Sequence, residues 1–414
     1  MSSGLPLAGI RVLEFGTFIT GPYAAGMLGD MGADVIKVER PPGGDPMRSW
    51  DGADYSPYFQ AYNKSKRSLT LDLRSAQGLE ACHRLVENAD VLLHNFRPGV
   101  AERVGIGADD MRRLNPALVY CQISGFGAEG PYSGRPSYNQ VVQSISGLDS
   151  LLIDKANPSP VGPNFADTLT ALFACYGILS ALVRRERTGE GSLVDATMLG
   201  STLAFLSADV QDHLVNGTIP GPKSRPQFSQ SYTVATRDDR FLTIHLSSPP
   251  KFWKGLLRVI QREDLAEDPR FAEWSDRVGN YDLLQAELAA AFASRTREEW
   301  LELLEAEDVP AAPVLDMSEA LNDPQTKVMG LVAEVAAGRL GVACPISLDR
   351  ERIVGSAAPR IGEHTGEILA GLGYSSADIE QMSASTRPTP AQPTPDQPAS
   401  AEPTSEVTAN RATE

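Results

Sequence analysis

The residue placed to do chemistry is an aspartate at the mouth of an apolar stretch. It closes the segment Val161-Gly162-Pro163-Asn164-Phe165-Ala166-Asp167. In the run that follows, Thr168 to Val183, residues Leu169, Leu172, Phe173, Tyr176, Leu179 and Val183 recur at helical spacing. Ile178 and Leu182 widen that stripe until little polar face is left, so the run predicts a buried helix. Arg184, Arg185 and Arg187 close it, where cations oppose the negative end of the helix dipole, and Gly189 is a stop signal. An aspartate at such an entrance has two uses. As an N-cap its oxygen accepts an orphan backbone N–H. As a reactive group it is an anion aimed into a cleft. The local sequence leaves both readings open.

Other chemistries find less support. Cys82, Cys121, Cys175 and Cys344 lie in apolar or helical context, with no CxxC pair and no histidine at ligand spacing, so they read as buried thiols of a reducing cytosol and predict no metal site. Gly16, Gly21 and Gly26 do not fit G-x-G-x-x-G, and Pro22 follows Gly21 where a phosphate loop would carry lysine. A formal charge of −16 argues against nucleic acid and against an anionic membrane surface as partners. The N-terminus lacks a basic region followed by an apolar core, and no unbroken apolar run reaches the ~18 residues of a membrane span. The expected location is the cytoplasm. Trp50, Trp253, Trp274 and Trp300 read as core or interface packing, with no basic stripe beside them.

The elements that must position Asp167 are those of an α/β fold. Ile10 to Phe15 and Asp34 to Glu39 read as strands flanking a helix from Tyr23 to Met31, a βαβ unit of the parallel kind. Further strands are predicted at 68–73, 90–94, 118–124 and 192–195, with helices at 75–88 and 197–214. Ligands of open parallel sheets sit beyond the carboxyl ends of the strands, so loops 16–22, 40–48, 95–99 and 124–132 are expected to share one rim. The length of 414 residues predicts more than one domain. Residues 1–215 form the N-terminal part of a large domain, 216–230 a Gly, Pro and Ser-rich linker, and 231–318 a smaller α+β domain. Residues 319–383 resume with short apolar pieces and a helix, and 384–414 form a Pro, Thr and Ser-rich tail without enough apolar content to order itself.

Taken together, several segments resemble the family III coenzyme A transferases, the group that includes formyl-CoA:oxalate, L-carnitine and bile-acid CoA-transferases. They are RVLEFGTFITGPYAAGMLGDMGADVIKVE with GGDPMR, NKSKRSLTLDL, NFRPG, GFGAEGPY, FADTLTALFACYGILSAL, RTGEGSLVDATM and PRIGEHTGEIL. The resemblance implies a Rossmann-like large domain built from both chain ends, with residues 319–383 as its C-terminal part, a small α+β domain between them, and an interlocked homodimer. It implies transfer of CoA from an acyl-CoA to a carboxylic acid, with the CoA thioester as substrate and no permanently bound cofactor. The family's acylated aspartate matches Asp167. The CoA contacts it implies are the backbone at Phe18, Ile19 and Thr20, the side chains of Arg40, Arg74 and Arg103, the adenine neighbours Leu71, Asn95 and Phe96, and Tyr138 beside the thioester.

The chain departs from the pattern at three points. Segment 216–230 has no glycine-rich shielding loop, a glutamine found in some members is Ile19, and a common aspartate after Tyr138 is Asn139. The competing activity on this fold is α-methylacyl-CoA racemisation, which needs a proton taken from one face of a carbon and returned to the other, by a His and an Asp. That histidine would fall at Tyr138, and none of His83, His94, His213, His245 and His364 lies in the matching loop. A CoA-binding scaffold without activity is the third reading.

Overall fold

The computed structural model describes residues 4–52, 55–247 and 249–384. Six parallel strands form one sheet: β1 (Arg11–Glu14), β2 (Asp34–Glu39), β3 (Lys66–Thr70), β4 (Val91–His94), β5 (Val119–Ser124) and β6 (Ser192–Thr197). Their order is β3-β2-β1-β4-β5-β6. Between them run α1 (Thr20–Asp30), α2 (Pro57–Asn63), α3 (Ala76–Glu87), α4 (Val100–Arg103), α5 (Ala108–Leu114), α6 (Asn139–Ile145) and α7 (Phe165–Thr188). After β6 come α8 (Met198–Phe205) and α9 (Ser207–Asn216), a break at Leu206 where a single helix over 197–214 is expected from the sequence.

Side chains on a strand alternate between faces, and in the centre of this sheet both faces are covered, so the central strands carry apolar residues on both sides. Leu13, Ile36, Leu92 and Tyr120 pack on one face with Cys82 and Leu85 of α3 and Met111 of α5. Val12, Val35, Leu93 and Val119 pack on the other with Ala24 and Leu28 of α1 and Ala174 and Ile178 of α7. The strand expected at 68–73 lies two to three residues earlier, because pairing of Lys37 with Ser68 fixes β3 against β2. Near the C-terminus the chain returns to this sheet: Ile368, Leu369 and Met382 enter the same core as Leu13 and Leu69, and the His364 N–H donates to the Ser68 carbonyl at 3.0 Å.

The long helix α7 corrects the reading of its own sequence. Its buried face is the small one, Ala166, Thr170, Ala171, Ala174, Ile178 and Ala181, with Leu182. Leu172, Phe173, Tyr176 and Val183 are exposed. The neighbour explains this: α1 presents Gly21, Ala24, Ala25 and Leu28, and small residues on both helices let the axes approach closely. Hydropathy gives the apolar stripe but not which part of it a neighbour can reach. By length and composition α7 could also cross a membrane; here one side of it lines a core against the sheet.

A second, antiparallel sheet of β7 (Ser231–Ala235), β8 (Phe241–His245) and β9 (Ala311–Pro313) has its own core, in which Tyr232, Trp253, Phe292 and Trp300 are buried. In the sequence, Tyr232 to Ala235 and Phe241 to Leu246 read as a hairpin around Arg237 to Arg240, which gives β7 and β8 but not β9, too short and too far along the chain to be seen as their partner. Segment 216–230 is not wholly irregular: Ser224–Ser229 is helical. The tail expected over 384–414 falls, from residue 385, outside the described residues.

Candidate active site

Strand order reverses between β1 and β4, and the loops that leave these strands diverge there and open a crevice. A cavity of about 730 Å³ occupies it. Its walls come from the loop after β1 (Thr17 to Ile19), Met47 and Trp50 beyond β2, Asn95 to Arg97 after β4, and Ser124 and Gly125 at the end of β5. All four loops expected on one rim therefore contribute to it. The helices supply the rest: Thr20 of α1, Tyr58 and Tyr62 one turn apart on α2, Tyr138 to Gln140 at the start of α6, Asn164 and Asp167 at the start of α7, and Met198 of α8.

The loop after β1 is clamped from below by buried charge. Lys37 is fully buried and pairs with Glu14 at 3.2 Å and Asp45 at 3.0 Å, and its ammonium donates to the Gly16 carbonyl at 2.9 Å. Burial alone would lower the Lys37 pKa, but Glu14 and Asp45 hold it above the ordinary lysine value. Lys66 shares Glu14 at 3.2 Å; burial dominates there and pushes its pKa down to about 8. Asp45 Oδ1 accepts the Phe18 N–H at 3.1 Å, and Asn95 Oδ1 accepts the Thr17 N–H at 2.9 Å. These bonds hold Phe18 in left-handed backbone, φ 61°, a conformation that costs a bulky residue energy. Phe18 thereby meets Trp50 and Tyr138 edge-on, with ring centroids 5.7 and 6.4 Å away. At Gly16 an added Cβ would lie 2.5 Å from Glu14 Oε1, so no larger residue fits there.

Asp167 is the third residue of α7, and Asn164 occupies the N-cap position, so the capping role read from the sequence is corrected. Two of the orphan N–H groups of this helix end are satisfied from α6 instead. Phe165 N–H donates to Gln143 Oε1 at 3.1 Å, and Asp167 N–H to Asn139 Oδ1 at 3.3 Å. Among the described residues no hydrogen bond or ion pair reaches the Asp167 carboxylate. Burial pushes its pKa up to about 6, and the helix N-terminus, with roughly half a positive charge, favours the anion that forms. A carboxylate with little solvation and no partner, facing a cavity, has the chemistry to serve as a nucleophile or a base.

Of the residues expected to contact CoA, Phe18, Ile19, Thr20, Asn95, Phe96 and Tyr138 line this cavity together with Asp167. Arg40, Arg74 and Arg103 do not line it; they are exposed on the same carboxyl-end side of the sheet, after β2, after β3 and on α4. Leu71 is 3% exposed and packs in the core with Leu69 and Ile368, because its strand-like alternation points it inward. The sequence reading missed Trp50, Tyr58, Tyr62, Arg97, Gln140 and Asn164. Trp50 reads from the sequence as core or interface packing; at 62% exposed beside the cavity it is not part of the core. Arg97 and Asn164 sit inside segments singled out by spacing, NFRPG and the Asp167 approach, and were legible there. Tyr58 and Tyr62 carry no signal beyond their helical spacing.

The sequence profile of CoA-transferase family III matches residues 7–365. The chain belongs to CoA-transferase family III. It is 33% identical over 384 residues to the succinate–glutarate CoA-transferase of Agrobacterium fabrum, covering 89% of this chain and 96% of that one. With the acetyl-CoA:oxalate CoA-transferase of Acetobacter aceti it shares 35% identity over 332 residues, 79% of this chain and 85% of the relative. The crystal structure of a CAIB/BAIF family protein from Brucella suis superimposes with a TM-score of 0.80 at 33% identity, covering 89% of this chain and 99% of that one. This family III chain is an enzyme that transfers CoA between an acyl-CoA and a carboxylic acid.

Proposed function

We propose that Asp167 carries the acyl group and then CoA itself. A carboxylate oxygen of Asp167 attacks the thioester carbon, the C–S bond breaks, and CoA leaves as thiolate with a mixed anhydride on the aspartate. The thiolate then attacks the aspartyl carbon, forming an aspartyl–CoA thioester and releasing the donor acid as its carboxylate. An incoming carboxylate attacks that aspartyl thioester and expels the thiolate, which takes the new acyl group from the second anhydride and restores Asp167. Charge and atoms balance at each step without a proton donor or an oxidant. The observation that carries this reading is the unpartnered, half-buried carboxylate in the first turn of α7, facing the cavity at the sheet's switch point.

In the same proposal the thioester arm of CoA enters past Phe18, Ile19, Thr20 and Tyr138. Asn95 and Phe96 flank the adenine, and Arg97 within the cavity and Arg40, Arg74 and Arg103 along the rim meet the phosphates. The chain acts in the cytoplasm as an interlocked homodimer. The dimer is supported by the exposed Leu172, Phe173, Tyr176 and Val183 of α7 beside Phe205 of α8 and Leu214 and Val215 of α9, more large apolar side chains than a monomer gains by leaving in water. Racemisation is disfavoured because no histidine lines the cavity among the described residues: His94, which precedes the cavity-lining Asn95, is buried and bonded through Nε2 to Tyr120 at 3.0 Å. The test is a screen of acyl-CoA donors against carboxylate acceptors, read as new acyl-CoA formed. Transfer between some pair is expected; hydrolysis alone, or exchange of the α-proton of a 2-methylacyl-CoA without transfer, would contradict the reading.

A further inference from the structure

Asp167 does not stand on its helix end alone. Behind it α6 and the turn that follows carry three polar side chains in series, and each fixes the next. Asp149, 4% exposed, lies at the far end; its carboxylate accepts from Gln143 Nε2 at 3.3 Å, from Gln140 Nε2 at 3.1 and 3.0 Å, and from the Ser144 hydroxyl at 2.5 Å. An ionised carboxylate only accepts. Gln143, fully buried, must therefore turn its NH₂ toward Asp149, and its Oε1 is left facing the other way. That oxygen accepts from Asn139 Nδ2 at 2.7 Å and from the Phe165 N–H at 3.1 Å. Asn139, with its NH₂ so engaged, presents Oδ1 to the Asp167 N–H at 3.3 Å. Gln143 Nε2 also donates to the Val161 carbonyl at 3.4 Å, which ties down the segment leading into α7.

We infer that Asp149, Gln143 and Asn139 form a one-way amide relay that sets the position and register of the Asp167 backbone relative to the cavity. The direction of every bond follows from the single charge at Asp149. Reverse either amide and an N–H would face an N–H, with a buried donor unsatisfied at the helix end. The relay explains why α7 needs no side-chain cap of its own, and it gives a use to the asparagine at 139. An aspartate at 139 could still accept from the Asp167 N–H, but it could not donate to Gln143, and it would set a second negative charge beside the reacting carboxylate. Asp149, Gln143 and Asn139 are positioning residues here. The inference rests on Asp167 as the nucleophile.

The experiment follows the rate at which acyl-CoA forms a hydroxylamine-trappable adduct at Asp167 in wild type, Gln143→Leu, Asn139→Ala and Asn139→Asp, beside steady-state kinetics. Misplacement of a reacting group by about 1 Å costs on the order of a hundredfold in rate. Gln143→Leu is expected to lose about ten- to a hundredfold in adduct formation and kcat, with the KM for acyl-CoA within about threefold, because Gln143 is fully buried and does not itself line the cavity. Should that variant not fold, Asn139→Ala, half-buried and removing only the last link, carries the same expectation for adduct formation and kcat, while its KM is left out of the test because Asn139 lines the cavity. Asn139→Asp is expected to move the acid limb of kcat/KM to higher pH, the signature of a like charge near Asp167; the other titratable groups lining the cavity are Tyr58, Tyr62, Tyr138 and the fixed cation Arg97. Wild-type adduct rates in folded Gln143→Leu and Asn139→Ala overturn the relay and leave Asp167 as nucleophile intact. An adduct mapped to a different residue in the wild type overturns both.

Discussion

Replacing Asp167 by asparagine is expected to end transfer and, at alkaline pH, to make the protein more stable. Burial lifts the Asp167 carboxyl to about 6 in the folded state, against about 3.9 in an unfolded chain. Two units at about 1.36 kcal/mol each give roughly 3 kcal/mol of cost for holding the anion in place. Contact with cavity water makes that an upper bound, and the helix N-terminus offsets about 0.3–1 kcal/mol, leaving about 2 kcal/mol. The sign follows from proton counts. Between about pH 4 and pH 6 the folded state holds a proton that the unfolded chain has released, so stability falls as pH rises through that window. Above it the full cost applies, and below it both states are protonated and the cost vanishes. Asparagine has the same shape and never ionises. The variant should therefore exceed the parent by about 2 kcal/mol at pH 8 and by under about 1 kcal/mol at pH 4.5, read by urea unfolding at both values. A variant no more stable than the parent at pH 8, or a gap that ignores pH, refutes the reasoning.

Lys37→Met should cost about 3–5 kcal/mol in stability, since it leaves Glu14 and Asp45 buried without their shared cation; pairing it with Asp45→Asn should recover part of the loss, and a single variant with an unchanged unfolding midpoint would contradict the clamp. Arg97→Ala should raise the KM for acyl-CoA about tenfold or more, the worth of one lost charged contact, with kcat nearly unchanged. A larger effect on kcat than on KM would move Arg97 from binding into the chemistry.

Much of this arrangement can be read from the chain. Strand periodicity and turn residues place β1, β2, β4 and β5 to within a residue or two, because parallel strands buried on both faces are short apolar runs bounded by polar loops. Asp167 stands out because a carboxylate at the start of a long apolar run is a conspicuous charge. What escapes is set by contacts between distant segments. The inward face of α7 depends on small residues of α1 some 150 positions earlier, so the large side chains at 172, 173 and 176 mislead. The partner of the β7–β8 hairpin comes from Ala311–Pro313. The capping of α7 by Gln143 and Asn139 is invisible as well, since an N-cap is sought in the residues just before the helix and these lie more than twenty positions upstream. Leu71 shows the opposite failure: adjacency in sequence to a binding loop does not overcome strand alternation, which turns it into the core.

The central claim is that Asp167 becomes covalently acylated, and one measurement tests it. The enzyme is incubated with acyl-CoA and no acceptor acid, treated with hydroxylamine, digested and mapped by mass. A hydroxamate confined to the peptide carrying Asp167, absent from Asp167→Asn, is the predicted result. Modification at another carboxylate, or transfer at wild-type rate by an asparagine variant shown to have kept its amide, would contradict the account.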